Sequence, residues 1–430
     1  SEMCIRDRFN TEVQYTARDE LDWRHRLLAL FRFWNVIEYW FPYRDLIDAD
    51  WDAVLADFIP SLYTAQDDST YKLELARLVA TVDDGHANLR GMREERPPAG
   101  SAMPPFAIRV VEGKPFVWQK FEVPDSESDS LDELQIGDVI LAVDGKPVEQ
   151  IFSEAAPYHG ASNETARKRR IAGALLAGDG DDVAATVERN GDIVTVISRR
   201  VARASLDDRT KYWNDREGET FQMLSPEVAY LKLSTIDARK SPEYIEAAAG
   251  TKGLVIDIRS YPATFSVFAI GQHLVAESTP FARFTYGDLS APGAFLWTEP
   301  TALEPAEPHY DGKVVILVDD SSVSQSEYTA MAFRAAPGAL VVGSQTAGAD
   351  GNVSNFPLPG GHYAGISGIG VFYPDKSPTQ RIGIVPDMTV VPTIAGLRAG
   401  RDEVLEVALR AILGEQVAEA TIRELAAFPR

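Results

Sequence analysis

Apolar and polar positions follow three successive patterns along the chain. Between residues 19 and 95 the spacing is helical. The stretch "RHRLLALFRFWNVIEYWFPY" carries apolar residues almost all round, as a buried helix does, and stops at Pro42. Its Trp34, Ile37, Tyr39, Trp40 and Phe41 read as core positions. "WDAVLADFIPSLYTA" and "TYKLELARLVATV" predict two further helices, the second running into "DDGHANLRG", where Gly85 breaks the period and leaves His86 in a turn. After the linker "RPPAGSAMPP" the period changes to that of short strands: "FAIRVVEG", "KPFVWQKF", "DVILAVDG", "DVAATVERNG" and "DIVTVISRR". The basic run Arg167, Lys168, Arg169, Arg170 reads as a solvated helix face. From residue 203 onward, buried-type strands ("EVAYLKLS", "GLVIDIRS", "KVVILVDD", "ALVVGSQT") alternate with helical stretches such as "FSVFAIGQHLVA" and "SEYTAMAFRAA". That alternation implies βαβ crossovers, and "RDEVLEVALRAILG" supplies a last amphipathic helix.

Length makes this a multidomain α/β reading, because 430 residues exceed one ordinary core and suggest two or three domains of about 150 residues. Lys and Arg number 42 against 64 Asp and Glu, a formal charge of -22, which argues against nucleic acid or an anionic membrane as main partner. No apolar run approaches the ~20 residues of a membrane span. The single cysteine, Cys4, can form no intrachain disulfide, and the opening "SEMCIRDR" reads as a non-native start, so residues 1–18 are set apart from the fold. Asp83, Asp84 and His86 cluster locally, but no second group has ligand spacing, so neither a metal nor a cofactor is expected.

The densest chemistry lies in "VDDSSVSQSEYTAMAFRAA", residues 318 to 336. Ser324 and Glu327 are spaced as a capping box, in which the serine serves the first amides of a helix and the glutamate reaches back. A serine at a strand-to-helix turn can equally project its hydroxyl as a nucleophile, with backbone amides and the helix dipole beside it to receive an oxyanion. Both readings fit these residues.

Taken in order, "DDGHANLRG", "LQIGDVILAVDG", "GLVIDIRSYPA", "SSVSQSEYTAMAF", "VVGSQTAGADGN" and "QRIGIVPDMTV" resemble the C-terminal processing peptidase family with its tricorn-like branch. The resemblance implies a helical N-terminal segment (19–95), a PDZ-like β-rich domain (104–202) and a crotonase-like α/β peptidase core (203–430). It implies Ser324 as nucleophile, with Ser321, Ser322 and Ser326 as supporting hydroxyls or caps. The position of the lysine base of Ser-Lys members is Ala349 here, so that dyad is absent. The tricorn-like branch uses a histidine, which falls on His86; its triad acid falls on Gln380, a neutral amide, with Asp83 and Asp84 as possible substitutes. The oxyanion donors fall on the amides of Gln325 and Ala263. The function implied is a serine endopeptidase acting on polypeptide, bound by its C-terminus through the PDZ-like domain, in a periplasmic or secreted setting. A non-catalytic binding protein and an acyl hydrolase on the same core are the alternatives. Oligomeric state is left open.

Overall fold

The computed structural model describes Tyr15 and residues 22–123, 134–206 and 214–427. The opening octapeptide and Cys4 lie outside the described residues. The chain forms two compact units, one of Ser1–Arg209 with Thr285–Leu296 and Gly351–Gly370, the other of Thr210–Phe284, Trp297–Asp350 and Val371–Arg430. The segment 351–370, which the sequence reading assigns to the core, thus packs with the N-terminal part.

In the first unit the three expected helices form as Trp23–Trp40, Trp51–Thr64 and Asp68–Ala80. Asp22 caps the first, its carboxylate accepting from the amides of Arg24 and His25 at 2.9 and 3.2 Å. Ala29, Leu30, Phe33, Val36 and Ile37 are its buried stripe. The helix is not buried all round as its composition suggests: Trp23, Leu28, Phe31 and Tyr39 are exposed. A stripe of i, i+3, i+4, i+7 positions suffices to seat one face, and the outer aromatics pack laterally instead, Trp23 tilting onto Tyr63 with ring centroids 5.4 Å apart.

The short strand Asn88–Leu89 pairs with His362–Ser367, which in turn pairs with Val353–Leu358. This hairpin is locked to the helices by the Arg32 guanidinium on Pro357 O at 2.8 Å and the Tyr71 hydroxyl on Pro359 O at 2.9 Å. The β-rich part of the unit orders its strands Phe106–Val111, Lys114–Lys120, Val139–Val143, Asp182–Arg189 and Asp192–Arg199 as sheet neighbours. The helix Glu164–Ala172 adds Ile171 and Ala172 to a core with Phe106, Val117, Ile140 and Val187.

The main sheet of the second unit has the strand order Phe221–Ser225, Val228–Lys232, Gly253–Asp257, Lys313–Val318, Leu340–Gly343 and Met388–Thr389. Only the first pair is antiparallel. The parallel strands are apolar at nearly every position because both faces are covered. The C-terminal helix Glu403–Leu413 covers one of them with Val404, Leu405, Ala408 and Leu409. Of "FSVFAIGQHLVA" only Val267–Gly271 is helical. The helix Glu419–Ala426, unforeseen in the sequence, follows the last one. Among the described residues no helix is long and apolar enough to cross a membrane.

One ion cluster fixes this unit. Arg259 is fully buried and bridges Asp257, at the end of its strand, to Asp402, the cap of the C-terminal helix. Tyr230 donates to the same Asp257 at 2.8 Å. Removing one carboxylate leaves a guanidinium half-paired in a dry core, so Asp402→Ala should cost about 3–5 kcal/mol of stability. The measurement is the urea midpoint at unchanged slope; a midpoint equal to that of the parent chain would show the cluster is not what anchors the helix.

Candidate active site

Ser324 lies between the strand Lys313–Val318 and the helix Gln325–Arg334. The intervening turn is tied down by its own hydroxyls. Ser321 donates its hydroxyl to Asp319 at 2.5 Å with Arg259 O also within reach at 3.1 Å, and Ser322 donates to Ile258 O at 3.1 Å. Asn214 adds an amide N–H on Asp319 at 2.9 Å. The Ser326 hydroxyl is buried with no hydrogen-bond partner among the described residues. Ser324 itself is half-buried and holds φ 56° and ψ −120°, a conformation an L-residue adopts only when its surroundings impose it.

What imposes it is Glu327. This carboxylate is fully buried and accepts from the Ser324 amide at 3.2 Å, Gly348 N at 2.7 Å, Ala349 N at 2.9 Å and the Thr346 hydroxyl. The Ser324 amide is shared with Ala349 O at 2.8 Å. Burial pushes the Glu327 pKa up, and the four donors oppose that shift. Thr346 also accepts from Ile384 N at 2.7 Å, and Arg381 N donates to Gly348 O at 2.7 Å, so the "GSQTAG" and "RIGIVPD" segments meet at this carboxylate. Gln380 is buried beside Arg381 in the same unit. Ala349, where Ser-Lys peptidases carry their base, is buried and supplies only backbone.

The Gln325 amide opens the helix, where no intrahelical carbonyl is available to it, and its side chain donates to Thr264 O at 2.9 Å. The Ala263 amide is spent on Leu233 O at 2.9 Å. Of the two oxyanion donors expected from the sequence, Ala263 is therefore engaged elsewhere in this structure, because the turn after Asp257 folds back on its neighbouring strand.

His86 belongs to the first unit. The helix Asp68–Ala80 ends in a turn where Asp83 takes φ 53° and Asp84 is buried. Gly85 N donates to Ser162 Oγ at 2.7 Å, and His86 N donates to Asp84 at 3.0 Å. The imidazole Nδ1 meets Ser367 Oγ at 2.9 Å; the Ser367 hydroxyl donates to Asp84 at 2.9 Å and its amide to the other Asp84 oxygen at 2.7 Å. Because the Ser367 hydroxyl gives its one proton to Asp84, it accepts from the ring. The neutral imidazole then carries its proton on Nδ1 and presents the Nε2 lone pair. Burial lowers the His86 pKa, with Asp84 raising it and Arg170 lowering it. The group behind the imidazole is thus a serine and a carboxylate, and it was Ser367 that sequence reasoning missed. Asp83, the other candidate, is held by Arg167 at 3.3 Å.

Two family models match the chain. Residues 227–390 match peptidase family S41, and residues 100–219 match a PDZ domain. A search among curated proteins finds no match. Among solved structures, mature CPAF complexed with lactacystin superposes with a TM-score of 0.67 at 14% identity, covering 88% of this chain and 95% of that one. Mature CPAF alone gives 0.67 at 14% identity over 87% and 94% of the two chains. A protein from Parabacteroides merdae gives 0.55 at 16% identity over 93% and 99%. These structural likenesses establish the fold, and the family models the class: the chain carries a PDZ domain ahead of a family S41 peptidase domain and is a serine-type peptidase.

Proposed function

We propose that the chain cleaves polypeptides through an acyl-enzyme, with Ser324 as nucleophile and His86 as general base. The observation that carries this reading is the backbone of Ser324, held at φ 56° between strand and helix by a buried carboxylate. A mere helix cap needs no such strain, whereas a nucleophile turn does. In the reaction, Ser324 Oγ bonds to the substrate carbonyl carbon while its proton passes to His86 Nε2. The carbonyl oxygen becomes an oxyanion facing the Gln325 amide and the positive end of the helix Gln325–Arg334. A second donor from Ala263 requires its bond to Leu233 O to be exchanged for the oxyanion. Collapse breaks the C–N bond, and the imidazolium returns the proton to the leaving amine. Water then repeats the sequence on the ester, releasing the acid product and restoring Ser324.

The orienting role assigned to Gln380 from the sequence passes, in this reading, to Ser367 and Asp84. The Asp84 charge stabilises the imidazolium through the Ser367 hydroxyl. The PDZ domain takes the substrate chain end by strand addition along the Phe106–Val111 edge, beside the helix Glu164–Ala172. Action outside the cytoplasm belongs to the same reading, by resemblance to the family, and cell fractionation tests it.

Two expectations follow for the reaction. A fluorophosphonate probe should label the parent chain and fail to label Ser324→Ala; labelling that survives this change would remove Ser324 from the chemistry. The second concerns pH. A base whose pKa is lowered is neutral at neutral pH and is lost only on acidification, so the acid limb of kcat/KM should fall below the ordinary histidine value of about 6.5. Asp84→Asn removes the influence that raises this pKa, so the limb should move lower still while the plateau drops on the order of a hundredfold or more. Gln380→Glu should leave both unchanged. A plateau insensitive to Asp84→Asn but raised by Gln380→Glu would return the orienting role to position 380.

A further inference from the structure

The first unit contains a cleft of about 640 Å³ with His86 in its wall. Its lining includes Arg90, Arg96 and Arg170, with Arg93 and Arg203 adding further guanidinium groups, and among the described lining residues there is no carboxylate. In a chain of formal charge -22 this concentration of cations is out of character.

The way these arginines are held is more telling than their number. Arg90 directs Nε and Nη2 to Asn355 Oδ1 at 3.0 and 2.7 Å. Arg96 reaches Asn88 Oδ1 at 2.7 Å and Leu89 O at 3.3 Å, and its Nε is buried without a hydrogen-bond partner. Arg170 donates to the carbonyls of Gly160 and Gly85. All three forks are fixed by neutral oxygens, which orient a guanidinium without neutralising it. The run Arg167–Arg170 is therefore not simply a solvated face, since its last member turns inward to the His86 loop.

The nearby acids are committed elsewhere. Asp84 acts on Arg170 through its field, but its oxygens take the His86 amide and both donors of Ser367. Asp83 pairs with Arg167, and Glu95 with Lys72 at 2.9 Å. Burial, followed by the charges of Arg169 and Arg96, pulls the Arg170 pKa down to about 10, and burial lowers that of Arg96 as well. His159, also in the lining, is driven to about 4 and is neutral. The cleft holds pre-oriented, mutually repelling cations, with Arg96 and Arg170 desolvated in its interior and Arg90 at its exposed rim.

We propose that this cleft binds a carboxylate of the polypeptide substrate, either an Asp or Glu side chain or the α-carboxylate of a chain end, and so gives the peptidase a preference for acid groups near the scissile bond. The proximity to the scissile bond rests on the reading of His86 as the base. Planar forks held in place suit the paired oxygens of a carboxylate, and each charge-assisted bond formed away from bulk water is worth more than a neutral one.

The test uses the full chain carrying Ser324→Ala, so that binding is read without turnover. Four labelled peptides of one sequence are titrated by fluorescence anisotropy, with Glu or Gln at an internal position and a free or amidated end. Tighter binding by about tenfold is expected for at least one carboxylate over its amide partner, and the margin should shrink as salt is raised. The pair that shows the margin identifies the source, side chain or chain end. Equal binding by all four overturns the proposal. Arg90→Glu, at the exposed rim, and Arg96→Gln should each cut the margin to about twofold or less. A margin that persists in both, with melting temperatures intact, places the carboxylate elsewhere and overturns it too; if Arg96→Gln fails to fold, Arg90→Glu alone decides. Failure of the Ser324 reading would appear separately, as fluorophosphonate labelling of Ser324→Ala.

Discussion

A single buried carboxylate, that of Glu327, determines how the turn at Ser324 is built. Four donors from two parts of the chain converge on it: the Ser324 amide, and from the segment 346–349 the Thr346 hydroxyl and the amides of Gly348 and Ala349. A lone carboxylate in a dry interior would be prohibitively costly; with this donor set it becomes a node that draws a loop, a turn and a helix start together. The unusual backbone of Ser324 is the local expression of that convergence, since its amide must reach both Glu327 and Ala349 O. Thr346 extends the node to Ile384. The meeting of "GSQTAG" and "RIGIVPD" is thereby given a physical cause, in which backbone atoms do most of the holding and side-chain identity matters at Glu327 and Thr346.

The imidazole is organised on a different principle. His86 sits in a turn whose own aspartate, Asp84, folds back on the His86 amide and also receives the Ser367 hydroxyl and amide. The two-strand hairpin Val353–Leu358 and His362–Ser367 delivers Ser367 because its register on Asn88–Leu89 is fixed by pairing of Asn88 with Gly365 and Leu89 with Ala364. A slip of one residue would turn Ser367 to the opposite face. An acid one step removed, acting through a hydroxyl, still sets tautomer and orientation, and it does so without placing a charge directly against the ring.

Much of this was legible in the sequence where a pattern is local. The five strands Phe106–Val111, Lys114–Lys120, Val139–Val143, Asp182–Arg189 and Asp192–Arg199, four of the six strands of the second unit's sheet, the three N-terminal helices and Glu403–Leu413 follow from period and caps, whereas Phe221–Ser225 and Met388–Thr389 do not; Ser324 and His86 stand in turns that breakers announce. Four things were not legible. The outward aromatics of Trp23–Trp40 look the same in sequence as buried ones. The partner of His86 is a serine in a segment with no chemical signature, and only strand register brings it to the ring. The commitment of the Ala263 amide to Leu233 O is a backbone matter that no side chain reports. The inward turn of Arg170 belongs with these, because a run of basic residues hides the one whose carbonyl partners are remote in sequence.

The pairing of His86 with Ser367 spans 281 residues, so the imidazole is synthesised long before the hydroxyl that orients it. At a translation rate of about 5–20 residues per second that gap is on the order of tens of seconds. For most of it the nascent chain has His86 without the hydroxyl that meets its ring and without the Ser324 turn, because Glu327 and its donors also lie far downstream. The order in which this chain is written separates the His86 turn from the Ser324 turn, and the hydroxyl that meets the imidazole arrives after both.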